Sequence, residues 1–171
     1  PRAKKALRIG LSALSPLGGE VDKEYSQCLA SVGKHLSQLG HEVIEFTPNW
    51  GEPERFIDFF QTLWAAMIAT VPGSPKLFEA VNQLMWEKAR SQTALDLMTA
   101  QNAAQQFSRT ITQAFSNEID LLLTPTMALP PPTAGESLAL GEKEPLKLIE
   151  SSYRHTPFTP WVNITGQPAI S

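Results

Sequence analysis

The sequence predicts an α/β fold, a partial and largely parallel sheet flanked by helices, and three observations carry that prediction. Two short strand-like runs bracket an amphipathic helix near the amino end, and a third, apolar run, Leu121-Leu122-Leu123, stops abruptly at Pro125. Strand, helix and strand within about 40 residues make a right-handed βαβ unit the economical arrangement, and parallel strands follow from it. An all-apolar run is the pattern of a strand buried on both faces. Ligands of open α/β sheets gather beyond the carboxyl ends of such strands. Thr124, Thr126 and the proline-rich loop after them are therefore where a binding surface is expected first.

The elements follow in order. Leu7 to Leu11 alternates like a strand, and Pro16 with Gly18-Gly19 supplies the turn after it. Asp22 is suited to cap a helix, with Glu24 placed favourably in its first turn. Val21, Tyr25, Cys28, Leu29, Val32, Leu36 and Leu39 recur at three- and four-residue steps, one apolar helical face. Gly40 stands where a left-handed C-terminal cap is wanted. His41 to Phe46 is the next strand, so residues 7–48 form the βαβ unit. Residues 52–118 read as a helical segment. One helix runs from about Glu52 to Thr70 through Phe56, Phe59, Phe60, Leu63, Trp64 and Met67. A shorter one runs from about Pro75 to Lys88, and a long one from about Thr93 to Asn117. Residues 119–171 hold the third strand, an extended loop from Met127 to Gly135 enforced by Pro130, Pro131 and Pro132, and a short helix over Leu146 to Tyr153. Glu142 to Glu144 is charged and expected to face solvent. Thr156 to Pro160 is expected to be extended, with one turn over Trp161 to Thr165.

Composition narrows the function. A net charge of −3 gives no reason to expect nucleic acid, and the one basic cluster, Arg2, Lys4, Lys5 and Arg8, reads as a solvated leader. The longest apolar stretch, Leu63 to Val71, is too short to span a bilayer, so no membrane is implied. A single cysteine, Cys28, cannot form an internal disulfide and suits a reducing, cytoplasmic compartment. Both ends lie on strand-like sequence, so the chain is expected to be one incomplete domain spanning 1–171.

No nucleophile comes with its machinery. Ser151-Ser152 lacks the glycines that let backbone amides reach an oxyanion, and reads as polar helix surface. Cys28 falls on the apolar face of the first helix, where a packed, inert thiol is expected. His35, His41 and His155 lack zinc-ligand spacing, and His41, between a cap and a strand, reads as structural. Gly18-Gly19 is not a phosphate-cradling G-x-G-x-x-G, and the carboxylates are scattered. Catalytic residues, metal ligands and cofactors are therefore all expected to be none. Trp161, after Pro160, is expected on a proline-fixed loop as a candidate pocket wall. Trp64 and the other aromatics of the middle helices read first as core.

Three stretches together resemble the amidase signature family. They are Leu7-Arg8-Ile9-Gly10-Leu11 with Val21-Asp22 and Leu39-Gly40-His41-Glu42-Val43; Asp120 to Thr126 with Pro130 to Pro132 and Gly135-Glu136; and Phe158-Thr159 with Trp161 to Ser171, which carries Asn-x-x-Gly-x-Pro-Ala. The third is the most specific. The resemblance covers nearly the whole chain in the family's order and implies a part of a larger amidase-type α/β/α fold. It also implies hydrolysis of carbon–nitrogen amide bonds by serine acyl transfer. The family's catalytic Lys, its Ser held by a cis peptide, and its Ser nucleophile in a Gly-Ser-rich segment have no counterpart in these residues. The chain is thus expected to supply scaffold and substrate-pocket walls and to be inactive alone. Candidate substrate-binding residues are Thr126, Met127, Leu129, Trp161 and Asn163, with Trp64 added from the helices. The implied partner is a small-molecule amide in the full-length protein, with homo-oligomerisation or strand exchange through exposed edges. Two alternatives stand beside it: a non-catalytic α/β binding or interaction module, and a fragment of an amidotransferase-type subunit.

Overall fold

The computed structural model describes residues 6–171, with the side chains of residues 116 and 117 left aside. Arg2, Lys4 and Lys5 of the basic cluster lie outside the described residues. Strands β1 (Arg8–Leu11), β2 (Glu42–Glu45) and β3 (Leu121–Leu123) pair in the order β2-β1-β3, all parallel. Ile9 stands opposite both Val43 and Leu121, which sets the register of the three strands. Helix α1 (Lys23–Gln38) makes the crossover from β1 to β2, as the βαβ pattern requires.

Local chemistry accounts for these boundaries. The Glu24 amide donates to Asp22 Oδ1 at 2.7 Å, so the cap expected at Asp22 is formed. Gly40, at φ 90°, closes the helix in the left-handed conformation only glycine takes cheaply. His41 is structural: its Nδ1 accepts the Leu7 amide at 3.2 Å and ties β2 to the start of β1. Asp120 fastens β3 at the same level, accepting the Arg8 amide at 2.8 Å on Oδ2 while its own amide donates to the Arg8 carbonyl. Gly33 lets α1 lie close on the sheet, because a Cβ there would collide with Leu11.

The middle of the chain is helical throughout: α2 (Pro53–Ala69), α3 (Ala80–Ser91) after a short 3₁₀ turn at Pro75–Leu77, and α4 (Ala94–Asn117). The third helix starts later than its apolar pattern suggested, since residues 75–77 close as a turn. Thr93 and Asp96 form a reciprocal capping box that starts α4. The rings of Phe56, Phe59 and Phe107 meet at 5.1 to 5.8 Å and join Trp50, Ile111 and Trp161 in one core between α2, α4 and the carboxyl-terminal helix. A second core, Ala65, Met85 and Ile149, binds α2 and α3 to the later helices.

After β3 come α5 (Glu136–Lys143), α6 (Pro145–His155) and α7 (Pro160–Thr165). Helix α5 was not expected from the sequence. Gly135, in a left-handed conformation, opens it, and buried Gly141 lets it pack against Leu148 of α6. Residues 157–158 form a turn, where an extended segment was expected. The expectation that Leu121–Leu123 is covered on both faces is corrected: β3 is an edge strand, Leu121 is 49% exposed, and only its neighbours are half-buried. Leu122 packs against the α2–α4–α7 core, while Leu123, facing the other way, borders an open cavity beside α1.

Candidate functional site

The connections leave β1 toward β2 on one side and reach β3 on the other, so the strand order reverses beside β3. The crevice at such a reversal, beyond the carboxyl ends, is where open α/β sheets hold ligands. At this point Ser12, buried just past β1, donates its amide to the Leu123 carbonyl at 3.0 Å, and its hydroxyl lies 3.1 Å from Thr47 Oγ1. These bonds join the ends of all three strands into one rigid rim.

A cavity of about 310 Å³ opens on this rim, between α1 and the residues that follow β3. Tyr25, Cys28, Leu29 and Val32 form its helical wall, and Leu123, Thr124, Pro125, Thr126 and Met127 form the other. No lining residue is charged. The loop is held from two sides at Ala128, which is 1% exposed: the Asp22 amide donates to its carbonyl at 2.7 Å, and its amide donates to the His155 carbonyl at 2.8 Å. Met127 is thereby presented on a fixed backbone between the α1 cap and the end of α6.

Of the six candidate residues, Thr126 and Met127 share this cavity. Leu129 is half-buried outside it, and Asn163 is exposed on α7. Trp161 is 7% exposed and packs against Trp50, ring centroids 5.4 Å apart, within the α2–α4–α7 core. The turn expected over Trp161 to Thr165 is present as α7, started by Pro160 at its first position, and it carries the indole into the core where a loop-borne pocket wall was expected. Trp64 packs beside the Ala65, Met85 and Ile149 cluster. The α1 wall is the part that sequence reasoning passed over. The spacing of Tyr25, Cys28, Leu29 and Val32 implies an ordinary buried stripe with Cys28 packed in it, yet Cys28 is exposed. The signal was the length of that stripe, which exceeds what three short strands can cover.

Ser151 Oγ lies 3.3 Å from His155 Nδ1 on α6, a pair that invites a catalytic reading. The same Nδ1 is 2.7 Å from the Ser151 carbonyl oxygen, which can only accept. Nδ1 therefore carries the proton and cannot take one from Ser151. Among the described residues no group of three His, Cys, Asp or Glu side chains could hold a metal ion. No helix of the described residues is long and apolar enough to cross a membrane. Burial pushes the Tyr153 phenol above its usual value, with Gln61 opposing the shift. The hydroxyl has no hydrogen-bond partner of good geometry, so burial governs.

A parallel sheet joined by a helical crossover, with an uncharged cavity at its strand-order reversal, defines an open α/β fold. The Amidase family model matches residues 1–171, and the chain belongs to that family. It is 27% identical, over 97% of its length, to the 6-aminohexanoate-cyclic-dimer hydrolase of Pseudomonas sp. (strain NK87). It is 26% identical to the enzyme of that name from Paenarthrobacter ureafaciens, again over 97% of its length. The chain spans 37% of the length of each of these relatives. Its fold matches solved structures of 6-aminohexanoate cyclic dimer hydrolase, with substrate and without. The TM-scores are 0.81 and 0.79 at 20% and 21% identity, over 97% of this chain and 38% of theirs.

Proposed function

We propose that the chain is the scaffold and substrate-side portion of an enzyme that hydrolyses carbon–nitrogen amide bonds, and that the cavity beyond β3 forms one wall of its amide pocket. The observation that carries this reading is the character of that wall: nine residues, none charged, beside the strand-order reversal. An uncharged amide enters such a surface at small desolvation cost, whereas a bare carboxylate or ammonium does not. A ring made of amide and methylene groups, as in the cyclic dimer for which the relatives are named, has no charged end and suits it. The chemistry implied by the family resemblance is serine acyl transfer. A hydroxyl adds to the amide carbonyl, the amine leaves with a proton, and water cleaves the ester that remains. No side chain among the described residues is set for the attacking role, so the described part of the chain positions and desolvates substrate without cutting it.

The setting is cytoplasmic, supported by the single free cysteine. The open edge of β3, with Leu121 half exposed on it, favours self-association or strand exchange.

The test compares this chain with the complete polypeptide that carries it, on cyclic and linear amides. The complete polypeptide should turn over an uncharged amide and the chain alone should not; turnover by the chain alone overturns the scaffold role. Met127→Trp in the complete polypeptide fills the cavity and should raise KM about tenfold, with the unfolding midpoint unchanged. An unaltered KM would remove the cavity from the substrate site.

A further inference from the structure

A second concavity, of about 560 Å³, lies between α2 and α4 and shares no lining residue with the first. Here the two helices run antiparallel. Arg55 donates from Nη2 to Gln106 Oε1 at 3.0 Å at one end, and Gln92, just before α4, donates from Nε2 to the Thr62 carbonyl at 3.4 Å at the other. The groove is therefore cationic at Arg55 and anionic at Asp96. At 1.5 Å of rise per residue, the stretch of α4 from Gln106 back to Asp96 separates these ends by about 15 Å. Phe59, Ala100 and Ala103 make an apolar floor between them, and Thr62, Thr99 and Asn102 offer hydroxyl and amide groups along the middle.

Both charged ends are open to a ligand. Arg55 has no ion-pair partner among the described residues, and only Gln106 occupies its guanidinium. The Asp96 carboxylate is fixed by the capping box, where Oδ2 accepts the Thr93 amide at 2.8 Å and the Thr93 hydroxyl at 2.7 Å. Oδ1 has no bond within that box. Those two bonds also hold the Asp96 carboxyl below its ordinary value, so it remains anionic. Asp58 lines the same groove one turn from Arg55 and likewise has no ion-pair partner among the described residues. Its charge disfavours ligands with a net negative charge and leaves room for a zwitterion.

We infer that this groove binds a linear ω-amino acid chain, with its carboxylate on Arg55, its ammonium on Asp96, and its alkyl and internal amide groups over the floor. The inference deepens the amide-hydrolase reading and rests on it for the origin of the ligand. When water opens a ring of aminoacyl units, the carbon–nitrogen bond breaks, hydroxyl goes to the acyl carbon and a proton to nitrogen. One chain then carries a free carboxylate at one end and a free amine at the other. An extended chain of two such units, at about 1.25 Å per backbone bond, spans the separation of the two charged ends. The uncharged cavity beyond β3 would accept the closed ring, and the α2–α4 groove would accept the opened chain.

The probe is the linear dimer of 6-aminohexanoate, titrated into this protein by calorimetry and by amide NMR shifts. Its N-acetylated and C-amidated forms serve as controls. The expected result is binding with shifts confined to α2 and α4, weakened about tenfold by blocking either end. Arg55→Gln should abolish the preference for the free carboxylate while keeping the preference for the free amine. Asp58→Asn should tighten the zwitterion. Equal affinity for blocked and free forms, shifts at Met127 and Tyr25 instead, or no binding at about 10 mM would overturn the inference. No turnover is read, so failure here is separate from failure of the hydrolase reading. Binding without any amide hydrolysis by the complete polypeptide would leave the groove standing as an amino-acid site.

Discussion

Replacing Trp161 by alanine separates a core role from a pocket role. The indole is 7% exposed, packs at 5.4 Å on Trp50, and belongs to the cluster that joins α2, α4 and α7. A buried tryptophan removes about 200 Å² from water, which at about 25 cal/mol per Å² is about 5 kcal/mol. Residual structure in the unfolded chain lowers that figure, and core Trp→Ala changes cost about 3–5 kcal/mol. The Nε1 donor is buried without a partner, as is that of Trp50, so no hydrogen bond is lost on truncation. With a urea slope of about 2 kcal/mol per M, the unfolding midpoint should fall by about 2 M. Trp161→Phe keeps most of the ring and removes the orphan donor, so it should shift the midpoint by less than about 0.5 M. Urea unfolding followed by circular dichroism reads both variants. A midpoint unmoved by Trp161→Ala would refute the core placement and return Trp161 to the pocket wall.

Tyr153→Phe removes a buried, unpartnered hydroxyl from beside the α2–α3–α6 core and should be neutral or stabilising by up to about 1 kcal/mol near neutral pH. Its raised folded pKa adds stability that is complete below the unfolded value of about 10 and is lost as pH rises through the folded value. The alkaline fall in melting temperature should therefore be shallower in Tyr153→Phe, as scanning calorimetry at several pH values would show. Asp22→Ala breaks the α1 cap and should cost about 1 kcal/mol in urea unfolding; a change within about 0.2 kcal/mol would show that the Glu24 amide finds water equally well. At the start of α4 the sign is opposite to that of Tyr153. The lowered Asp96 pKa gives stability that is present above the unfolded value of 3.8 and is lost as pH falls through the folded value. Asp96→Asn should flatten that acid limb.

Local rules decided what local chemistry could decide. The Asp22 cap, the glycine after α1, the parallel βαβ unit and the proline that ends β3 each follow from one or two residues and their neighbours. The family resemblance likewise lay in short contiguous motifs, and the whole-chain family match agrees with it. Tertiary structure decided which apolar surfaces are covered. Cys28 and Val32 continue the same helical stripe as Leu29 and all three line the cavity, yet Leu29 is buried at its base while the other two stay exposed on its wall. Periodicity records that a face is apolar, and only the position of the neighbouring strand determines whether anything packs on it. Trp161 shows the converse: a proline beside it suggested a loop, but contact with Trp50, a residue far away in the chain, drew it into the core. The charged ends of the α2–α4 groove come from helices whose antiparallel pairing appears in no single stretch of sequence, because long-range packing sets it.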